Sequence, residues 1–255
     1  MNVLPPVLYK YQSCNVYSLR NLGNHSIWFS KPDTFNDPFD CDINFDIVDV
    51  TDENVKSMIT RMGGAKDKSI SNEDAIKMAL ATTEIVKKKQ WAEIGVACFA
   101  EEPENILMWS HYAEKHQGFC LKFDTSHHPF QAFEKERVIK VDYVNSYPSL
   151  SINDIPQKIL SREISLPRQL LGIKSLHWDY ENEWRIFSSV GNKEYLFDKS
   201  ALAGIYFGCN MDKSDKRLIC KLLADFPEVK TYQMIISKNE FKIFPEEISL
   251  KLLAD

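Results

Sequence analysis

The stretch Val96–Asp124, VACFAEEPENILMWSHYAEKHQGFCLKFD, decides the fold. Val96–Phe99 is an apolar run of strand length. Glu101, Glu102 and Glu104 then crowd a loop broken by Pro103. Asn105 is a natural helix cap, and carboxylates beside it suit the positive end of the helix dipole. Ile106, Leu107, Trp109, Tyr112 and Ala113 recur at helical spacing. Gly118 resets the backbone, and Phe119–Phe123 alternates as a strand does. The predicted unit is strand, loop, helix, strand. Its helix carries Trp109, Ser110, His111 and Tyr112, with His116 just beyond. Such a segment is either a core helix with polar edges or the wall of a site.

Upstream, Val7–Tyr11 reads as a strand. Asn15–Leu22 reads as a short helix with Val16, Leu19 and Leu22 on one face, ended by Gly23-Asn24. Ser26–Ser30 is a second strand. Lys31–Asp42, KPDTFNDPFDCD, holds two prolines and four aspartates and predicts a loop without regular structure, with Phe35 and Phe39 as its core anchors. Asn36, Asp37 and Asp40 either cap turns within this loop or form a polar pocket wall, and the pocket is the preferred reading. Residues 51–94 read as a helical insertion, with a stop at Gly63-Gly64 and a capping box at Ser71-Asn72-Glu73-Asp74.

Downstream, Ser126-His127-His128-Pro129 reads as a surface loop; it lacks the cysteines or paired acids of a metal site. Val138–Val144 alternates as one strand. Residues from about Asp154 to Ser175 read as helix broken at Pro167. Trp184–Phe187 and Ala203–Phe207 are strands, Asp212–Ala224 is an amphipathic helix with Leu218, Ile219, Leu222 and Leu223 inward, and Lys230–Ile236 and Phe241–Phe244 close the chain as strands. Helices and strands mixed without regular alternation predict an α+β fold, one domain over 1–255 with a central mixed or split antiparallel β-sheet flanked by helices.

The 255 residues suffice for a sizeable core, and 44% apolar with 26% charged residues is ordinary globular composition. A net charge of −5 predicts no general nucleic-acid patch. No apolar run reaches membrane-spanning length, and six scattered cysteines without CxxC spacing read as buried free thiols. A cytoplasmic protein is the expectation.

The second chemical element is His177–Arg185, HWDYENEWR. In extended chain Glu181, Glu183 and Arg185 point to one side, with Trp178, Tyr180 and Trp184 on the other. Two carboxylates on one side repel, burial raises a carboxylate pKa, and Arg185 offsets the repulsion. This is either a surface ladder or a polar row on a rigid strand, and a rigid strand suits a site.

Lys10-Tyr11, Phe29-Ser30, FNDPFD, MWSHYA, GFCLKFD and YENEWR together resemble an uncharacterised bacterial family of domain-of-unknown-function proteins, over residues 8 to about 208. The order of elements also resembles, at the level of fold, the ADP-ribosyltransferase superfamily. That resemblance implies that Glu181-Asn182-Glu183 corresponds to the superfamily's Glu-x-Glu, with Glu183 in the catalytic place and Glu181 positioning the acceptor. It implies that Lys10 or Tyr11 stands where an Arg or His holds the cofactor. Tyr112 follows the strand that ends at Phe99-Ala100, where Ala100, Glu101 and Glu102 replace the usual serines. Nicotinamide–ribose cleavage passes through an oxocarbenium-like state that a nearby carboxylate stabilises. Tyr112 or Trp109 then stacks the nicotinamide, and His111 bonds phosphate or ribose. The expected ligand is NAD as substrate, the partners are a small-molecule nucleotide and a macromolecular acceptor, and no metal or membrane is expected. Asn36, Asp37, His111, Tyr112, Glu181 and Glu183 are predicted to line one cleft. The biological role implied is a toxin or defence effector.

Two other classes stay open. A non-catalytic sensor needs only an aromatic pocket for a nucleotide or partner. A phosphodiesterase or nuclease needs His111, His116, Asp37 and Asp40 to converge, and the HxxxxH spacing is poor for one helical face.

Overall fold

The computed structural model describes residues 3–42, 44–46, 73, 74, 77, 81, 93–133, 137–151, 171–226 and 228–249. Most of the expected helical insertion at 51–94, and of the helix expected over 154–175, lies outside them. Residues 73, 74, 77 and 81 have helical backbone.

The deciding stretch folds as read. β4 (Gly95–Phe99) leads through the acidic loop to a helix over Ile106–Tyr112, α2, and on to β5 (Phe119–Asp124). Asn105 caps α2, its side-chain oxygen accepting the amides of Leu107 and Met108 at 3.0 and 3.2 Å. The buried face is Met108, Trp109 and Ala113, while Ile106 and Leu107 are exposed. Gly118 is required by close approach: a Cβ there would lie 2.1 Å from the Gln12 carbonyl oxygen.

β5 is paired on both sides. β1 (Val7–Gln12) and β12 (Leu202–Phe207) flank it antiparallel; β13 (Lys230–Ile236) joins β12 in parallel, and β14 (Ile243–Ile248) closes the five-stranded sheet. Period-2 alternation divides its side chains. Phe119, Leu121 and Phe123 of β5, with Ile205 and Phe207 of β12, enter the main core, whereas Cys120 and Tyr206 face α2. α1 (Val16–Gly23) is capped by Asn15 in a reciprocal box with Ser18, and α3 (Lys213–Leu222) is capped by Asp212.

A second sheet places β10 (Trp184–Ser188) between β4 and β6 (Val138–Lys140), all antiparallel. The two sheets meet where Tyr9 and Ala100 exchange backbone hydrogen bonds of 2.9 and 2.8 Å. Past Tyr9 they part. The Cys98 carbonyl, which a continued ladder would offer to Tyr11, accepts Lys10 Nζ at 3.0 Å instead. Ser30 and Val96 make a similar bridge from the end of β2 (Ser26–Phe29), whose own partner is β11 (Lys193–Leu196). β3 (Asn44–Asp46) pairs in parallel with β8 (Ser149–Ser151).

Several expectations are corrected. Val138–Val144 is two strands, because the chain leaves β10 after Lys140 and Asp142–Val144, β7, pairs in parallel with β9 (Ile173–Ser175). Ile173–Ser175 is therefore strand, not helix. HWDYENEWR is not extended: Leu176–Glu181 is a 3₁₀ turn, Asn182 is left-handed at φ 44°, and the strand starts at Trp184. Pro32–Thr34 forms a 3₁₀ turn inside the loop expected to be irregular. Phe39 is exposed and does not anchor that loop, while Phe35 packs against a core cluster. Val16 and Leu218 are exposed, and Phe241 lies outside the last strand, fully exposed.

Candidate functional site

The site begins with a buried ionic cluster. Arg185 of β10 has no solvent exposure. Its Nε and Nη2 donate to the two Glu183 oxygens at 2.8 and 3.0 Å. Its Nη1 and Nη2 donate to the two Asp40 oxygens at 2.8 and 2.7 Å, and Nη1 also donates to the Leu171 carbonyl at 2.8 Å. This forked double recognition is what a guanidinium does and an ammonium does not. Lys174 of β9 completes the cluster, with Nζ 2.5 Å from Glu181, 3.2 Å from Glu183 and 3.4 Å from Asp40.

Local chemistry brings these groups together. Ser175 accepts the His177 amide and opens the 3₁₀ turn. Asn182 tolerates the left-handed conformation better than most residues, and it turns the chain so that Glu181 and Glu183 both point inward. The backbone of Glu183 is held on both sides, its amide by Tyr143 Oη at 2.8 Å and its carbonyl by the Val141 amide at 3.0 Å. Asn105 Nδ2 donates to the Tyr180 carbonyl at 2.7 Å and so ties the cap of α2 to the same turn.

The two glutamates are electrostatically unlike. For Glu183, burial raises the pKa, but Arg185 and then Lys174 outweigh it and hold the carboxyl well below the usual range. For Glu181, burial dominates, Lys174 only partly opposes it, and the Glu183 charge adds to the rise, so its pKa is pushed up to about 7. Lys174 feels burial in the opposite sense, yet Glu183, Asp40 and Glu181 together keep it firmly cationic. Tyr112 Oη donates to Glu181 at 2.6 Å, and burial raises the phenol so that it remains a donor. Glu181 thus accepts from a phenol on one oxygen and an ammonium on the other, with burial opposing its charge.

These groups wall a cavity of about 360 Å³ at the parting of β1 and β4. Its apolar lining comes largely from Tyr9, Tyr11, Trp28, Phe35 and Phe99, and its polar lining from Lys10, Asn36, His111, Tyr112, Lys174, Glu181 and Glu183, with Asp40 behind them. The volume lies at the lower end of the range for small-ligand sites. Of the residues singled out in the sequence, the cavity gathers Lys10, Tyr11, Asn36, Asp40, His111, Tyr112, Glu181 and Glu183. Asp37 stands outside: it is buried, and its carboxylate accepts the Phe39 amide at 2.9 Å as a turn cap. Trp109 also stands outside, fully buried, with Nε1 donating to the Pro103 carbonyl at 2.6 Å and its ring edge-on to Tyr11. His111 and His116 line different cavities, and His116 instead lies 3.1 Å from Ser110 Oγ. Among the described residues, no three His, Cys, Asp or Glu side chains are grouped to hold a metal ion. None of the described helices is long and apolar enough to cross a membrane, and all six cysteines are free.

Lys174 was missed by sequence reading. It is a single lysine in a stretch read as helix, and only the β7–β9 pairing turns it inward.

The model of a family described as a protein of unknown function, DUF2971, matches residues 108–186. That segment runs from the MWSHYA helix through YENEWR and carries His111, Tyr112, Lys174, Glu181, Glu183 and Arg185. β1 with Lys10, and the FNDPFD loop with Asn36 and Asp40, lie before it. No curated protein and no solved structure matches the chain.

Proposed function

We propose that the cavity binds NAD or a related nucleotide and breaks its nicotinamide–ribose bond, passing ADP-ribose to an acceptor or to water. The observation that carries this reading is the place of Glu181 at the wall of an aromatic cavity, hydrogen-bonded to Tyr112 and Lys174, where burial raises its pKa to about 7. A general base works best with its pKa near the working pH. As the C1′–nitrogen bond breaks, nicotinamide leaves as a neutral base and the ribose becomes oxocarbenium-like. Ionised Glu181 takes the proton of the acceptor hydroxyl or water as its oxygen bonds C1′. Glu183, shared between Arg185 and Lys174, fixes the position and field of the pair. The roles drawn from the resemblance are therefore exchanged: Glu181 is the chemical carboxylate and Glu183 its support. The element order and the Glu-x-Glu pair support an ADP-ribosyltransferase-like arrangement, with the parted sheets as its crevice. About 360 Å³ suits the nicotinamide riboside half, with the rest of NAD toward the open rim.

The test is nicotinamide release from NAD, with and without cell extract as the acceptor source. The wild type releases nicotinamide, and Glu181→Gln lowers the rate by ~100-fold or more, the scale of losing a positioned acid–base group. NAD binding without release supports a sensor module instead, a reading favoured by how completely Asp40, Glu183 and Arg185 satisfy one another. A folded protein that neither binds NAD nor releases nicotinamide overturns the proposal.

A further inference from the structure

Two lysines line the cavity, and their surroundings are opposite. Lys174 has three carboxylates within 3.4 Å. Lys10 has no carboxylate within salt-bridge distance among the described residues. Its Nζ makes one hydrogen bond, to the Cys98 carbonyl at 3.0 Å, and stands 5.1 Å from the centre of the Phe99 ring. The ring face suits a cation, but among the described residues no counter-charge stands at Nζ; a neutral amine gives one N–H to the carbonyl and keeps its lone pair for the cavity.

We propose that Lys10 is a carbonyl-reactive amine, and that the cavity takes a small aldehyde or ketone, such as an open-chain sugar, as a reversible iminium adduct. The lone pair of Nζ adds to the carbonyl carbon, and a proton passes from the nitrogen to the former carbonyl oxygen. The resulting carbinolamine then loses its hydroxyl as water, and a protonated C=N bond to Nζ remains. Glu181, on the wall of the same cavity, is the proton donor for water departure, and hydrolysis runs the same steps backwards.

The other nucleophiles of this cavity point the opposite way. Burial pushes the phenols of Tyr11 and Tyr112 and the thiol of Cys98 up, so they stay protonated. Burial pushes Lys10 down, toward the reactive neutral amine, and the charges around it only partly oppose this. Lys174 is held as a cation by its three acids.

Iminium formation at Lys10 needs no nicotinamide, and it is tested without NAD. The full chain is exposed briefly at pH 7 to dilute glyceraldehyde with cyanoborohydride, which reduces an iminium to a stable secondary amine, and each lysine is read by peptide mass mapping. Lys10 is expected to be modified about 10-fold faster than exposed Lys230, as a desolvated amine should be, while Lys174 stays unmodified. Glu181→Gln is expected to slow labelling of Lys10 and leave that of Lys230 unchanged. Labelling of Lys10 at less than about 10 times the rate of Lys230 overturns the proposal, as does faster labelling of Lys174.

Discussion

Glu181 and Glu183 are two residues apart and hold protons at different ends of the scale, because one faces a guanidinium and the other does not. The sign of the consequence for stability follows. The folded pKa of Glu181, about 7, lies above its ordinary 4.5, so the folded state binds the extra proton. The stability this group contributes is fully present below about pH 4.5 and is lost as pH rises through about 7. Thermal unfolding of Glu181→Gln should thus vary less between pH 5 and 8 than that of the wild type. A variant curve parallel to wild type would contradict the assignment. Arg185→Met leaves Asp40 and Glu183 without their main partner and should cost ~3–5 kcal/mol in urea unfolding. Part of this chemistry was legible in the sequence. The i, i+2 spacing of Glu181, Glu183 and Arg185 gave their convergence, though a left-handed Asn182 rather than an extended chain produces it. Lys174 was not legible, since its direction depends on a strand pairing that local pattern does not encode.

At the scale of elements, the Asn105 cap was readable, whereas Asn15 and Asp212, read as the first residues of helices, are caps as well. Asn15, Asn105 and Asp212 each accept amides at the start of a helix, because their short side chains supply what the first turn lacks. The strands with strict alternation were readable for the same local reason. What failed depended on neighbours: Val16 and Leu218 fit an apolar face by spacing, yet both are exposed. The break at Val141 failed likewise, because β6 and β7 answer to different partners. Asn105 joins the two kinds of information, capping α2 and binding the turn that carries Glu181. Asn105→Ala should lower stability by ~1 kcal/mol from the cap alone. It should also loosen the Glu181 turn, read as faster amide exchange at Tyr180 to Asn182 than at β5. Equal exchange at both places would mean that the cap and the turn are uncoupled.

At the scale of the whole molecule, the cavity lies where two sheets touch at Tyr9 and Ala100 and then part, lined by both buried charges and aromatic rings. A ligand that fills such a gap binds only the folded chain, so NAD at 100 times its dissociation constant should add ~2.7 kcal/mol to stability. The same addition to Lys10→Met or Glu181→Gln should give less if the cavity is the binding place. A shift unchanged in both would move the ligand elsewhere. All of this turns on Glu181 holding its proton near neutral pH. The direct measurement is a carboxyl-carbon NMR titration of protein labelled at glutamate, with Glu181→Gln identifying the resonance. A midpoint near 7 is the expected result, whereas a midpoint below about 5, the range of an ordinary glutamate, would contradict the account.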